Sequence, residues 1–229
     1  MLLLAIDTSG KQGSIALARA GEPTAEEGDF ELIEIAPLLG GTFSAQLIPQ
    51  VSELLSRNGF MKTAIGAFAV VSGPGSFTGL RIGLAAVKAL AEVLGKPIAA
   101  VSLLEVCVLT SGAAHGKIMA ALDAGRTEVY VGEYELPARA GEAPRERMLT
   151  RSEFLSQAKG WTLVTPDSVL ADAAGAAGLS VSTLVPISAA DVARLGWRKI
   201  QSGQTVGPEQ LEANYIRRTD AEMLEKSGS

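Results

Sequence analysis

Two aspartates that follow apolar runs are the clearest candidates for chemistry in this sequence. Asp7 and Asp123 each end a run that predicts a buried strand, and each precedes a turn of small or polar residues. Carboxylates at strand ends beside tight turns can hold a hydrated magnesium ion or orient a water molecule. In the first turn, the hydroxyls and backbone N–H groups of Thr8 and Ser9 could also bind a phosphate. The alternative is that both acids only cap turns, a role that aspartate often has.

A glycine-rich loop at 72–76, between a predicted strand and a predicted helix, is the second candidate. The free N–H groups at such a helix start can bind an anion. However, a phosphate-binding P-loop needs Lys and then Ser or Thr after its last glycine, and Leu80 and Arg81 stand there instead. Thr78 occupies the third glycine position of the dinucleotide-binding pattern. Neither nucleotide motif is complete, and we interpret the loop as a sharp structural turn.

The helix predicted after this loop carries an apolar seam with a stripe of small residues beside it. Gly79, Gly83 and Ala86 belong to that stripe, together with Leu90. A glycine inside a helix costs roughly 1 kcal/mol relative to alanine, so some contact should offset that cost. Small residues four apart let another helix approach closely. The residues alone leave two explanations open, which are packing against the chain's own first helix and a subunit interface made by both helices.

The counts of cysteine and histidine exclude several classes of site. The chain has one of each, Cys107 and His115. A disulfide within the chain needs two cysteines, and a zinc site usually draws three or four ligands from these residue types. Nothing around His115 resembles the nucleophile turn of a hydrolase. Cys107 lies in an apolar stretch, which predicts a buried thiol and suits a reducing compartment.

Composition and charge narrow the class of protein further. The 229 residues correspond to roughly one and a half domains of about 150 residues. A hydrophobic content of 47% is enough to fill a core. The net charge of -5 argues against binding to nucleic acid through bulk charge. No apolar stretch approaches the ~20 residues that span a bilayer, and the apolar start lacks the features of a signal peptide. These observations predict a cytoplasmic protein.

The predicted elements occur in the same order in two halves of the chain. Each half has a hairpin, a further strand, a helix, a strand and a helix, and the two aspartates are 116 residues apart. This repetition predicts two related α/β units, over 1–102 and 103–229. The predicted strands are 2–6, 14–19, 30–36, 65–71, 98–101, 117–123, 128–135 and 161–165. The predicted helices are 43–57, a helix ending at Leu94, 103–114, 151–158, 167–177 and 189–202, and 137–147 is predicted to be a loop.

Four segments in this order resemble the bacterial TsaB family. They are 4–9 with 14–17, the more specific segment 73–83, 121–124 with 128–130, and 214–217. The resemblance implies an actin-like ATPase fold of two ribonuclease-H-like α/β subdomains. It also implies a non-catalytic subunit of the machinery that makes threonylcarbamoyladenosine in tRNA, next to the anticodon. Family members pair with the catalytic paralogue TsaD through their first two helices, or with themselves when alone, and the small ATPase TsaE joins the complex.

The resemblance also implies where partners bind. The expected partner interface consists of eight residues on the first two helices: Leu47, Val51, Thr78, Gly79, Ile82, Gly83, Ala86 and Leu90. The turns at Asp7, Thr8, Ser9 and Asp123 are expected to be vestigial nucleotide or phosphate turns. No metal and no cofactor is expected in the isolated chain, and ATP or ADP with magnesium is expected only at an interface of the complex. The tRNA is expected to be reached indirectly, through the complex.

One departure from the family bears on catalysis. The first helix of family members often carries a histidine near its start, whereas residues 43–46 here read Phe-Ser-Ala-Gln. This departure weakens any metal-ligand role for that helix, and it agrees with a non-catalytic subunit.

Two alternatives remain open at this level. The two aspartate turns would also suit an ATP-dependent small-molecule kinase or ATPase that uses Asp7 and Asp123 around magnesium-ATP. Titration of the isolated chain with magnesium-ATP distinguishes that enzyme from a scaffold. A direct contact between tRNA phosphates and Arg217 or Arg218 is a further hypothesis, and a solvated tail explains these arginines equally well.

Overall fold

A computed structural model describes residues 1–21, 30–39, 41–138 and 144–216 of the chain. These residues divide into two compact units. The first unit contains Met1–Leu103 and Ser188–Asn214, and the second contains Leu104–Ile187 with residues 215–216. Arg217 and Arg218, the hypothetical tRNA contacts, lie outside the described residues. Within the described ranges, no helix is long and apolar enough to cross a membrane.

The helices and strands follow one another as two α/β series. The first series is β1 Leu2–Asp7, β2 Gly13–Ala20, β3 Phe30–Leu38, α1 Phe43–Arg57, β4 Ile65–Gly73, α2 Phe77–Leu94 and β5 Ile98–Ser102. The second series is α3 Leu103–Thr110, β6 Gly116–Gly125, β7 Glu128–Leu136, β8 Arg145–Thr150, α4 Arg151–Gln157, β9 Thr162–Thr165, α5 Ser168–Ala176, β10 Ser180–Thr183 and α6 Ala189–Gln201.

Both units contain a five-stranded mixed sheet with the same topology. The first sheet has the order β3-β2-β1-β4-β5, and the second has the equivalent order β8-β7-β6-β9-β10. In each, the first strand pairs antiparallel with its hairpin partner and parallel with the strand that follows the first helix after the hairpin. β1 is buried at all six positions, as expected for a continuous apolar run at the centre of a covered sheet. The duplicated order confirms the predicted actin-like fold with ribonuclease-H-like halves.

The last helix belongs to the first unit, unlike the predicted second domain over 103–229. The amphipathic α6 lies on the first sheet and buries Val192, Ala193 and Trp197. A Cβ on Gly196 would come within 3.0 Å of the Ala69 side chain, so the glycine lets the helix approach β4 closely. Burial of this apolar face outweighs proximity along the chain, and α6 therefore joins the sheet that can cover it.

Two strands of the second unit were not predicted. β8 occupies part of the segment predicted as a loop over 137–147, and β10 follows α5. β8 is rich in charged residues, which conceal its strand character in the sequence. It is an edge strand on which Arg147 forms an ion pair with Glu133 of the neighbouring β7. Such cross-strand pairs stabilise an edge that has no apolar pattern of its own.

Candidate functional site

The turn that follows β1 is closed by hydrogen bonds among its own residues. Asp7 Oδ1 accepts a hydrogen bond from the Ser9 backbone N–H at 2.8 Å and another from the Ser9 hydroxyl at 2.6 Å. Asp7, Thr8 and Ser9 are all buried, with at most 7% of their surface exposed. Burial raises the pKa of Asp7 above its ordinary value of 3.8, although the hydrogen bonds from Ser9 act in the opposite direction. The Asp7 carboxyl is therefore an internal group of the turn.

Helix α2 lies directly on this turn, through the two glycines of its small-residue stripe. The Thr8 hydroxyl donates a hydrogen bond to the Gly79 carbonyl at 2.7 Å. A Cβ on Gly79 would lie within 3.0 Å of the Thr8 carbonyl oxygen, and a Cβ on Gly83 would also lie within 3.0 Å of Thr8 Oγ1. Contacts this short essentially never occur for real side chains. The two glycines of the stripe therefore accommodate Thr8, which belongs neither to the chain's own first helix nor to a second subunit.

The glycine-rich loop packs on the same turn. The Ser76 N–H donates to the Ser9 carbonyl at 2.7 Å, and a Cβ on Gly75 would lie 2.6 Å from that same oxygen. The hydroxyl of Ser76 then caps α2 by accepting from the Gly79 N–H at 3.3 Å. On the other side of the loop, the Asn214 N–H donates to the Ser72 carbonyl at 2.8 Å. These contacts give the loop a structural role in joining the β1 turn to the start of α2.

Several polar groups of the β1 turn are engaged inside the first unit. Oδ1 of Asp7 already accepts two hydrogen bonds, the carboxyl is buried, and Ser76 and Gly75 cover the carbonyl of Ser9. A magnesium ion needs carboxylate oxygens that are accessible to it and to its waters. Among the described residues, no group of three or more His, Cys, Asp or Glu side chains is placed to hold a metal ion.

The second aspartate has a different environment. Asp123 is exposed, and its Oδ1 accepts only a weak hydrogen bond, at 3.2 Å, from the Gly125 N–H of its own turn. It pairs with Val129 near the end of β6, before a register shift and a last pair between Gly125 and Glu128, whereas Asp7 pairs with Ser14 at the end of β1. The two aspartates are therefore equivalent in topology, but one is enclosed by its unit and the other faces solvent.

The eight predicted interface residues separate into two groups. Thr78, Ile82, Ala86 and Leu90 are exposed or half-buried on α2. The other four are buried inside the first unit, so their assignment to a partner surface needs correction: Leu47, Val51, Gly79 and Gly83. Leu47 and Val51 lie on the apolar side of α1 that faces the core of their own unit, and the two glycines face Thr8.

The solvent side of α2 carries a continuous uncharged surface, here called the α2 outer face. It consists of Thr78, Ile82, Ala85, Ala86, Ala89, Leu90 and Val93, all exposed or half-buried. Val93 is 77% exposed, and the charged Arg81 and Glu92 stand at the border of this face. Ile48 of the neighbouring α1 adds a further apolar side chain that is 50% exposed. An apolar helical face open to solvent is a physical signature of a partner site.

Ala85, Ala89, Val93 and Ile48 belong to this exposed surface but were not among the predicted interface residues. The signal was present, because these α2 positions lie on the opposite side of the helix from the buried Leu80, Leu84 and Val87. An uncharged stripe opposite an apolar seam is typical of a helix that packs on its own core with one side and on a partner with the other. The small residues of the glycine stripe gave the stronger but misleading signal.

A groove beside this face runs between α1 and the segment that follows it. It has a volume of about 730 Å³ and is lined mainly by apolar side chains, among them Ile48, Leu55, Phe60, Met61 and Leu90. Met61 is 76% exposed at its edge. The groove extends the apolar surface from α2 toward the end of α1, where Lys62 also lines it.

Comparison with known proteins agrees with this architecture. The family model described as TsaD, tRNA N6-adenosine threonylcarbamoyltransferase, matches residues 39–167. The tRNA threonylcarbamoyladenosine biosynthesis protein TsaB of Escherichia coli (strain K12) is 30% identical, over 95% of this chain and 95% of that protein. The protein of the same name from Bacillus subtilis (strain 168) is 36% identical, over 59% of this chain and 56% of its own length.

A solved structure gives the same result in three dimensions. A Pseudomonas aeruginosa protein, described as uncharacterized with similarity to peptidase YEAZ, superposes with a TM-score of 0.70 at 28% sequence identity. The match covers 94% of this chain and 99% of the other. The resemblance first seen in four sequence segments thus extends over the whole fold. The chain belongs to the TsaB family of tRNA threonylcarbamoyladenosine biosynthesis proteins, and it has a role in forming that modified nucleoside.

Proposed function

We propose that this chain is a non-catalytic subunit that supports a TsaD-like catalytic paralogue through the α2 outer face. The transfer of the threonylcarbamoyl group to the tRNA adenosine next to the anticodon then takes place on the paralogue. The observation that carries this proposal is the uncharged, solvent-exposed side of α2, which runs from Thr78 to Val93. An apolar surface is stabilised by about 25 cal/mol for each Å² that a partner removes from water.

The composition of the face favours a helical partner. Ala85, Ala86 and Ala89 are small, so the backbone of a second helix can come close to α2. Ile82, Leu90 and Val93 stand among them as larger side chains that can enter the grooves of that helix. A surface from a paralogue with the same fold would supply helices of this kind.

The residues available for chemistry support an accessory role. The full sequence contains a single histidine and a single cysteine. Burial raises the pKa of the Cys107 thiol to about 12, so this group is a poor nucleophile or metal ligand. The β1 turn holds its carboxyl inside the unit and does not present it to magnesium-ATP, which argues against the alternative of a small-molecule kinase or ATPase. In this proposal the metal-dependent step belongs to the TsaD-like partner.

The remaining partners follow from the same complex. A TsaE-like ATPase joins it, tRNA is bound through the assembled complex, and ATP or ADP with magnesium binds only at an interface between subunits. In the absence of the paralogue, the α2 outer face pairs with a second copy of this chain, because a self-complementary apolar face can close a symmetric dimer.

A charge placed on the α2 outer face tests the proposal. Ala86→Arg puts a cation in the middle of that face, whereas Val185→Arg puts the same charge at a position of the second unit that is 71% exposed. Binding of the TsaD-like paralogue from the same organism is measured by isothermal titration, with size-exclusion chromatography for self-association. We expect Ala86→Arg to weaken binding of the paralogue about thirtyfold or more and to yield a monomer, with Val185→Arg like the wild type. Equal binding by all three chains would contradict the proposal.

A further inference from the structure

The β1 turn is attached to the central strand of the first unit. β1 is the central strand of the sheet, hydrogen-bonded to β2 on one side and β4 on the other. The turn at its end is held by the two hydrogen bonds from Ser9 to Asp7. Its residues are buried, which shields these hydrogen bonds from competing water. A group that packs against this turn therefore takes its position from the centre of the sheet.

Thr8 contacts α2 at two successive turns of the helix. Its hydroxyl donates to the Gly79 carbonyl, and the same oxygen occupies the space next to Gly83, where no Cβ fits. Because the two glycines are four residues apart, they lie one above the other on one side of the helix. Contact with both limits the rotation of α2 about its axis as well as its distance from the sheet.

The α2 outer face is directly connected to these glycines. Thr78 and Ile82 each immediately precede one of them, so any rotation of α2 at Gly79 and Gly83 moves Thr78 and Ile82 by the same angle. The first helix is tied to the same turn. A Cβ on Gly13 would lie 2.6 Å from the Asp7 carbonyl oxygen and 3.1 Å from the Phe43 ring, so Phe43, the first residue of α1, packs tightly beside the turn.

We propose that Thr8 is a positioning residue for the partner-binding face of α2. The Asp7–Ser9 turn is then the surface on which this helix packs, and not a nucleotide site. The proposal rests on the proposed function, since it assumes that the α2 outer face binds the paralogue. In this role, Thr8 sets the orientation in which Thr78, Ile82 and Ala86 meet the partner. The polar turn typical of a nucleotide-binding fold thus serves recognition of a protein.

Two variants of Thr8 separate its hydroxyl from its shape. Thr8→Val keeps the shape but removes the donor to Gly79, whereas Thr8→Ser keeps the donor. Two properties are measured, the binding of the paralogue and the hydrogen exchange of the amides at 79–84. We expect Thr8→Val to weaken binding about three- to tenfold and to speed exchange in this segment, with Thr8→Ser close to the wild type. Val and Ser variants that behave alike in both measurements would overturn the proposal.

A second pair of variants tests the steric contact and does not depend on Thr8→Val folding. In Gly83→Ala, the new Cβ meets only one atom at a prohibitive distance, Thr8 Oγ1, while its next neighbours lie at an ordinary 3.7 Å. Removal of that oxygen by Thr8→Ala should therefore relieve the overlap. We expect Gly83→Ala to weaken binding of the paralogue and the double variant to recover at least part of the loss. Additive losses in the double variant would contradict a direct contact that positions α2.

The measurements distinguish this proposal from the proposed function. If the wild-type chain does not bind the paralogue at all, the proposed function fails, and with it the role of Thr8 in recognition. Hydrogen exchange still reports whether Thr8 fixes the position of α2. If the wild type binds and the Thr8 and Gly83 variants bind equally well, only the positioning role fails. If the isolated wild-type chain binds magnesium-ATP and Thr8→Val loses this binding, the turn is a nucleotide site and the positioning role of Thr8 is overturned.

Discussion

The Thr8 hydroxyl donates a hydrogen bond to the carbonyl of Gly79, 2.7 Å away and 71 residues further along the chain. This bond joins the end of the central strand to the first turn of α2, the helix that carries the uncharged outer face. Glycine is required at this position, because a side chain there would collide with the backbone of Thr8. The costs of glycine in a helix are offset by close packing on the sheet.

The fit between Gly79 and Thr8 predicts a large effect of a single methyl group. The Cβ of Gly79→Ala would meet the Thr8 carbonyl oxygen, a backbone atom that cannot turn aside. We expect the free energy of unfolding to fall by about 1–3 kcal/mol or somewhat more. Urea denaturation measures this change.

A matched helical glycine provides the control for this prediction. Gly175 lies in α5 with open space where a Cβ would stand, so Gly175→Ala should leave stability unchanged or raise it by about 0.5–1 kcal/mol. Similar losses in both variants would mean that the close approach of α2 to Thr8 is not the cause.

Burial of Asp7 predicts a pH-dependent stability. Because burial raises the pKa of Asp7 in the folded chain above 3.8, the folded state binds this proton more tightly than the unfolded state. Its contribution to stability is complete below pH 3.8 and is lost as the pH rises through the higher folded pKa. Asp7→Asn keeps an oxygen that can accept from Ser9 but cannot ionise. We expect this variant to gain stability relative to the wild type as the pH rises from acid to neutral.

Urea midpoints of both chains across that pH range measure the gain. Asp123→Asn removes the same charge from an exposed turn and serves as the control. A loss of stability of Asp7→Asn relative to the wild type as the pH rises from acid to neutral would show that the ionised carboxylate gains more from its hydrogen bonds than burial costs.

The single thiol provides a simple probe of the second unit. Cys107 is buried in α3, and its pKa of about 12 leaves little thiolate at mildly alkaline pH. We expect a disulfide reagent such as Ellman's to react with the native chain only at the rate at which this region opens, and to react at once in concentrated guanidinium chloride. Rapid modification of the native chain would contradict the packing of α3.

Much of the fold could be predicted from the sequence because the apolar patterns are strong. The helix predicted over 43–57 agrees with α1, and the helix predicted to end at Leu94 agrees with α2. The repeated order of elements reflects two sheets of one topology. β8 could not be predicted, since the sequence Arg-Glu-Arg-Met-Leu-Thr has no alternating apolar pattern and becomes a strand only through its pairing with β7.

The site was only partly predictable for a similar reason. A stripe of small residues shows that something approaches a helix closely, but it does not show what approaches. Gly79 and Gly83 face Thr8, which is distant in sequence, and only the folded sheet reveals this neighbour. Ile82 and Ala86, which lie near these glycines on the helix, are half-buried and not fully enclosed. The distinction depends on how α2 is rotated, and Thr8 contributes to that rotation.

The central claim, that this chain supports catalysis by a paralogue through α2, is tested most directly by reconstitution. The TsaD-like paralogue and the TsaE-like ATPase are combined with tRNA and the threonylcarbamoyl donor, and threonylcarbamoyladenosine is quantified by mass spectrometry of the digested tRNA. We predict efficient modification with the wild-type chain or Val185→Arg, and little without the chain or with Ala86→Arg. Full modification in the absence of this chain, or with Ala86→Arg in its place, would contradict the claim.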